Sequence, residues 1–511
     1  MSMESTAVLE VEVANPNIAV QPKPDESPAL KRLNAPPVAP KRIAFAQNIT
    51  DQLLGFAHMA ACLTHRGHAV KAFVENFEKD MLEALKEFKP DVLGVQCLTG
   101  NDGWYLKLMR EYKKIDPNCL VVAGGPHCKY HPDSFIGQGI DAICTGEGDL
   151  TILDLTELWD GSIASLQDIE NIWLFEDDKV TKGAKAQLIE QLDDFPLTDR
   201  TIYDHYKYYD TLSTMPIMAT RGCPFACTYC YMNAERNLFK GLGKFVRYRS
   251  PDNLIAEINE MKARYKKLRF IVFEDSTLNL KRNWFNDLMG GMAEKAQLPF
   301  FAHLRADIVT EAQLDGLQKA GCHLAALGVE SGSERLRKDV LKRPMTDDQI
   351  MFTVNGLRDR NIKIGTANMF GVPSETLEES YGLIRLNQKI KAELISSTVF
   401  NPYPGTDLAD FAYDHGFTSM SSRDVGNYYH DSPVDQPDIK KQIRLQKLLY
   451  YYTHLPRLEF LWEFMVRYAP FKLLCWMLYA GIVFSIKSGY GYSWANIIYY
   501  GMKNFKLYSK D

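Results

Sequence analysis

Two successive series of short apolar runs, separated by helical patterns, constrain the fold of this chain more than any single residue does. Between Lys41 and about Trp159 the runs are RIAFA, HAVKAFV, DVLGVQC, CLVVAGG and DAICTGE, with helical segments around Leu53–Arg66, Met81–Phe88 and Trp104–Lys114. Uninterrupted apolar runs suit strands buried on both faces, and the interleaved helices supply the cover. The first series therefore predicts an α/β fold with a doubly wound parallel sheet. A second series runs from about Met215 to Tyr403 through MPIMAT, LRFIVFED, FFAHLRA, AALGVES, KIGTANMF and LISSTVF. Six such units predict a partial (β/α)6 barrel, with its active site at the carboxyl ends of the strands.

The chain divides accordingly. Residues 1–40, rich in proline and scattered charge, read as a disordered leader. Residues 41–160 form the first domain, 161–213 a connector of weak pattern, 214–407 the barrel and 408–511 a mainly helical domain. The leader lacks a basic segment followed by an apolar one, so it does not read as a secretory signal. That points to a reducing, cytoplasmic setting, in which the ten cysteines are buried thiols, ligands or catalytic groups and not disulfides. A net charge of −5 argues against a general nucleic-acid partner.

The last region has its own composition. From Lys441 onward there are ten Lys/Arg against three Asp/Glu, and eighteen of seventy-one residues are aromatic, about twice the chain average. Its apolar centre, Leu473 to Ile486, is shorter than the ~18–20 residues that cross a bilayer. Two readings stay open: a helical cap packed on the barrel, or a basic aromatic surface that rests on a membrane or admits a greasy substrate.

The stretch RGCPFACTYC, Arg221 to Cys230, places Cys223, Cys227 and Cys230 in a CxxxCxxC spacing. Structural zinc wants four closed ligands, and an iron–sulfur cluster normally takes four thiolates. No histidine or cysteine follows within the next twenty residues. Three thiolates on a cluster would leave one iron open for chemistry. Three buried thiols without a metal, or a zinc loop, are the alternatives.

With its flanks, this stretch resembles the signature of the radical S-adenosylmethionine (SAM) enzymes, placed just after the first barrel strand. The resemblance implies that Cys223, Cys227 and Cys230 hold a 4Fe–4S cluster whose open iron is chelated by SAM. It implies further that one electron cleaves SAM to a 5′-deoxyadenosyl radical. Later motifs agree in order and spacing. FED brings Glu274 and Asp275 to where the family binds the SAM amino group. HLRAD brings Arg305, with Asp307, to the RxD position, where the arginine suits the SAM carboxylate. GVESGSE brings Glu330 and Ser331 to the ribose, MFGVPSET brings Val372 behind the adenine, and Tyr229 matches an aromatic along the adenine. NPYPGTDL, Asn401 to Leu408, matches a loop common after the last barrel strand.

In the first domain, the strand-end loops VQCLTGN, AGGPHCKYHPD and CTGEGD resemble those of the cobalamin-binding domain that precedes the barrel in one large subgroup of these enzymes. The resemblance implies cobalamin contacts from Leu98, Thr99, Gly124, Gly125, Pro126, His127, Thr145 and Glu147. One departure stands out. The DxHxxG of the mutases and of methionine synthase, whose histidine ligates cobalt, is missing after RIAFA. Cobalamin is therefore expected without a histidine ligand, its lower face near the AFAQNIT loop. His127 is expected as a polar contact, and His65 and His68 as surface residues.

The resemblance implies hydrogen abstraction from an unactivated carbon, followed by methyl transfer from methylcobalamin. The protein's part is positioning and exclusion of water. Partners implied are a small, hydrophobic or anionic substrate and an electron donor such as flavodoxin or ferredoxin; peripheral membrane contact through the last domain belongs to the second of the two readings of its composition. Other readings are a cyclase or rearrangement enzyme of the same architecture, like the anaerobic Mg-protoporphyrin monomethyl ester cyclase, and a non-catalytic sensor. The hopanoid methylases share this domain order.

Overall fold

In the computed structural model, residues 27–100, 102–176, 179–419, 429 and 431–490 are described. The first series of apolar runs gives β1 (Arg42–Gln47), β2 (Ala69–Val74), β3 (Val92–Gln96), β4 (Leu120–Gly124) and β5 (Ala142–Cys144), all parallel. Alternation along β1 explains the uninterrupted run: Ile43 and Phe45 enter one core while Ala44 and Ala46 enter the other. Phe45 stacks on Phe56 of the helix Leu54–His65 with ring centroids 4.5 Å apart. Glycine at 94 leaves room for that ring, since a Cβ there would lie 2.9 Å from it.

The connector is more ordered than its pattern indicates. It supplies β6 (Ile172–Glu176) and β7 (Lys179–Lys182), which extend the sheet antiparallel to the order β2-β1-β3-β4-β5-β6-β7. The leader also needs correction. Residues 1–26 lie outside the described ones, but Pro28–Leu33 is a helix capped by Ser27, and its Ala29 and Leu33 are buried in the sheet's core. Its Arg32 pairs with Asp154. His68, expected at the surface, is buried: its Nδ1 accepts from Lys41 N at 3.2 Å and its Nε2 lies 3.7 Å from Glu157. His65 is exposed as expected.

The second series gives β8 (Thr214–Ile217), a short antiparallel pair β9 (Thr220–Arg221) and β10 (Arg247–Tyr248), then β11 (Phe270–Phe273), β12 (Phe300–Leu304), β13 (Cys322–Glu330), β14 (Lys363–Phe370) and β15 (Leu394–Val399). The six long strands form one parallel sheet, β15-β14-β13-β12-β11-β8, a partial barrel that does not close on itself. Three of the covering helices, Glu311–Lys319, Asp347–Asp359 and Leu377–Ile390, begin with reciprocal side-chain caps, Thr310 with Gln313, Thr346 with Gln349 and Thr376 with Glu379. These satisfy orphan amides at each start.

The carboxyl-terminal region is helical: Asp407–Asp414, Ile439–His454, Glu459–Tyr468 and Phe471–Tyr490. It covers the β15 edge. Ser485 Oγ accepts from Ile395 N at 3.3 Å, and Gln446 Nε2 donates to Ser397 O at 2.8 Å. Both are backbone groups an edge strand would otherwise leave unpaired. The helix Phe471–Tyr490 is longer than its fourteen-residue apolar centre, and by length and composition it is sufficient to cross a membrane.

Candidate functional site

The cysteine loop leaves the carboxyl end of the sheet just after β8. Gly222, at φ +86°, makes the turn, and any Cβ there would collide with Phe245 O. Cys223 and Cys227 are buried and Cys230, half-buried, precedes the helix Tyr231–Leu238. The loop is tied down from outside: Thr228 Oγ1 donates to Val340 O at 2.7 Å and Leu408 N donates to Thr228 O at 2.9 Å. Among the described residues no three Cys, His, Asp or Glu side chains converge on a point that would hold a single metal ion. A cluster sets a different requirement, one thiolate per iron, which three separated sulfurs on one loop can meet.

Two buried guanidinium groups face the loop. Arg305 Nη1 lies 3.8 Å from Cys227 Sγ, and its Cζ sits 3.5 Å over the Phe225 ring. Arg343 Nη1 lies 3.9 Å from the same sulfur, with its Nε on Gly328 O. Positive charge against a cysteine sulfur favours the thiolate that a metal cluster requires. Sequence reading missed Arg343; the signal available, a lone arginine before Pro344, is too general to find it.

Arg305 also holds Asp307 through two bonds, Nε to Oδ1 at 2.7 Å and Nη2 to Oδ2 at 3.0 Å. Tyr229 packs with Val372 in one apolar cluster with Met369, Leu336 and Leu341. Beside them Glu330 occupies a left-handed backbone conformation, φ +62°, and is half-buried; desolvation raises its carboxyl, while Arg343 and Tyr229 pull it back. Such strain in a non-glycine residue costs on the order of 1–3 kcal/mol and clusters at functional positions.

The FED pair splits. Asp275 is buried and already occupied: Oδ1 accepts from Thr220 N and Thr220 Oγ1 at 2.6 and 2.5 Å, and Oδ2 from Ala219 N at 3.1 Å. Burial pushes its carboxyl up to about 6, against these bonds. It braces the entry to the cysteine loop. Glu274 is the exposed member, its carboxyl raised by partial desolvation, then by Asp275 and by Asp51 from the first domain. Ser331 is likewise a support, buried with its Oγ accepting from Ser333 N and its carbonyl from Arg337.

In the first sheet the strand order reverses between β1 and β3, the place where doubly wound sheets bind ligands. Leu98 is exposed and Thr99 half-buried on that rim. Gly125, at φ +96°, lets the β4 loop approach the β3 loop, since a Cβ would meet Cys97 O at 2.8 Å. Gly124 ends β4, and Pro126 opens the short helix that carries His127. Three residues expected on a ligand also have protein partners. His127 lies between Thr99 Oγ1 at 3.2 Å and Ser134 Oγ at 3.3 Å. Thr145 Oγ1 donates to Asn171 O at 3.0 Å. Glu147 takes both arms of Arg247, at 2.9 and 2.6 Å. The loop after β1 carries no histidine; Gln47 closes it by donating to Ile49 O and Asp51 O.

The two sets of loops meet. Tyr130, four residues beyond Pro126, stacks on Tyr231, the residue after Cys230, at 4.5 Å, and Tyr231 meets Tyr403 at 5.6 Å. Lys129 pairs with Glu235, and Arg221 with Asp149.

Comparison with known proteins gives the following. Residues 52–156 match the B12 binding domain and residues 217–386 the radical SAM superfamily. The chain is 26% identical over 371 residues to an uncharacterized methyltransferase of Pyrococcus horikoshii, covering 71% of this chain and 79% of that protein. It is 26% identical over 253 residues to the anaerobic magnesium-protoporphyrin IX monomethyl ester cyclase of Synechocystis, covering 48% of each. A solved structure of OxsB, a cobalamin-dependent S-adenosylmethionine radical enzyme with aqua-cobalamin bound, shares the fold with a TM-score of 0.63 at 12% identity, covering 92% of this chain and 84% of that one.

Proposed function

We propose that this chain, which belongs to the cobalamin-dependent radical SAM enzymes, methylates an unactivated carbon of a small, hydrophobic or anionic substrate. Its cofactors are a 4Fe–4S cluster, S-adenosylmethionine and cobalamin. When bound, these supply a hydrogen-abstracting 5′-deoxyadenosyl radical and a transferable methyl group. A one-electron donor such as flavodoxin or ferredoxin completes the system, on the cytoplasmic side.

The observation that carries this reading is the contact of Tyr130 with Tyr231, which sets the strand-end loops of the two domains face to face. A substrate bound beside that contact has one domain's loops on each side. In this reading Cys223, Cys227 and Cys230 hold three irons. Glu274 receives the SAM ammonium group, Arg305 its carboxylate, and Glu330 the ribose. Tyr229 and Val372 form the apolar wall for the adenine, with Asp275 and Ser331 behind them. Leu98, Thr99, Gly124, Gly125 and Pro126 border the corrin, and His127, Thr145 and Glu147 brace those loops. Holding the reacting carbon in place and excluding water is the main work left to the chain.

The cyclase reading is favoured by one observation, the likeness to the magnesium-protoporphyrin enzyme across 48% of each chain. Anaerobic incubation of the reconstituted protein with SAM, cobalamin, a reductant and candidate substrates separates the two. Methyl transfer gives both 5′-deoxyadenosine and S-adenosylhomocysteine. 5′-Deoxyadenosine alone would establish the non-methylating reading, and neither product would sink both.

A further inference from the structure

Among the described residues, apolar exposure is concentrated in one place. Of the seventeen large apolar side chains exposed among the described residues, ten lie between Leu455 and Phe484, so the patch is not the ordinary scatter of surface hydrophobes. Phe460 exposes 74% of its surface, Tyr468 and Trp476 66% each, and Phe464 58%. Phe460 and Phe464 stand one turn apart on Glu459–Tyr468, and Leu473, Trp476 and Phe484 lie outward on Phe471–Tyr490.

The other faces of both helices are turned inward, Glu459–Tyr468 against the helix Ile439–His454 and Phe471–Tyr490 against that helix and the barrel sheet. Trp462, Val466, Leu474 and Leu478 are buried, and Gly481 packs against Tyr450. At its far end Phe471–Tyr490 is bonded along the sheet: Lys363 Nζ donates to Ser488 O at 2.7 Å, and His323 Nε2 lies 3.0 Å from Gly489 O. A helix held along its length cannot turn to span a bilayer without losing these contacts, whatever its hydropathy. Charge on the outward side is predominantly positive. Arg457 and Arg467 are exposed, against Glu459, while Glu463 is engaged by Tyr381 and Tyr452. A two-fold contact between copies of this face would bring those cations together. Anionic headgroups would instead pair with them while the aromatics enter the acyl boundary.

We propose that the outward face of Glu459–Tyr468 and Phe471–Tyr490 is an in-plane docking surface for an anionic lipid bilayer. It stands independently of the methyl-transfer reading. The test is co-sedimentation of the full chain with phosphatidylcholine vesicles containing a quarter phosphatidylglycerol, and with phosphatidylcholine vesicles alone. Binding is expected to the anionic vesicles and to weaken with salt. The double variant Phe464→Glu/Trp476→Glu, whose side chains are exposed, should keep the parent's melting temperature and lose roughly tenfold or more in vesicle affinity. The double variant Arg457→Glu/Arg467→Glu should lose the preference for anionic vesicles. Failure to bind either vesicle overturns the proposal. So does a dimer in sedimentation velocity that Phe464→Glu/Trp476→Glu converts to monomer, since the face would then belong to a second copy.

Discussion

Arg221 and Asp149 face each other across the two domains in a two-pronged ion pair, Nη1 to Oδ2 at 2.7 Å and Nη2 to Oδ1 at 2.9 Å. Arg221 lies two residues before Cys223, and Asp149, the last residue of GEGD, lies in the first turn of the helix Gly148–Leu158, which follows the loop after β5. Arg247, paired with Arg221 in the β9–β10 ribbon, repeats the arrangement on Glu147. The loop expected to touch cobalamin is thus bolted to the loop that carries the cysteines.

Removing one partner should cost more than the pair contributes, because a buried charge is left alone. Arg221→Ala is expected to destabilise the cofactor-free protein by about 3–5 kcal/mol in chemical denaturation. Burial raises the Asp149 carboxyl, and Arg221 outweighs that, holding it down to about 2. Its contribution is therefore present above the ordinary carboxylate range and lost as pH falls from about 4 towards 2. Asp149→Asn should remove about 2 kcal/mol of that acid dependence. A melting profile from pH 6 to pH 2 that is unchanged in the variant would contradict this.

The cluster loop makes a separate prediction. Replacing Cys223, Cys227 and Cys230 together with alanine should abolish the broad iron–sulfur absorbance, with iron content falling to background. Arg343→Leu should keep the cluster but shift its potential to more negative values by on the order of 50 mV. The guanidinium beside Cys227 favours the more negative, reduced state. Redox titration followed by electron paramagnetic resonance reads the shift, and an unchanged potential would remove Arg343 from the electrostatics of the site.

How much of this was legible in the sequence depends on whether the determinant is local. The runs RIAFA and FFAHL announce strands because four of the five residues in each are apolar, and the capping pairs lie three residues apart. The roles of Glu147, Thr145 and Asp275 were not legible, because their partners Arg247, Asn171 and Thr220 are 26 to 100 residues away. A strand-end carboxylate looks the same whether it awaits a ligand or already holds an arginine. The β6–β7 hairpin was missed because its second strand, KVTK, has one strongly apolar residue. His68 looked exposed because the sequence does not display the Glu157 that it packs against.

The short helix Pro28–Leu33 gives a truncation test. Deleting residues 2–26 should leave the melting temperature unchanged. Deleting through Pro40 removes the buried Leu33 and Ala29 and the Arg32–Asp154 pair, and should cost about 2–4 kcal/mol. Equal melting temperatures for the two truncations would show that the helix contributes nothing to the sheet.

Glu375 provides the last case, a buried carboxyl three residues beyond Val372 in the loop after β14. One oxygen accepts from Val372 N at 3.0 Å and the other from Ser380 Oγ at 2.7 Å. Burial pushes the group up to about 7 in spite of these bonds. Because the folded chain holds the proton more tightly than the unfolded one, the stabilisation is complete below the ordinary glutamate range. It is lost as pH rises from about 4.5 to about 7, by up to about 3 kcal/mol. Glu375→Gln cannot ionise, so its stability relative to the parent should improve between pH 5 and pH 8. The two proteins should therefore approach or cross in melting temperature across that interval. A constant difference at both pH values would mean that Glu375 is ionised throughout, and that the Val372 and Ser380 bonds outweigh its burial.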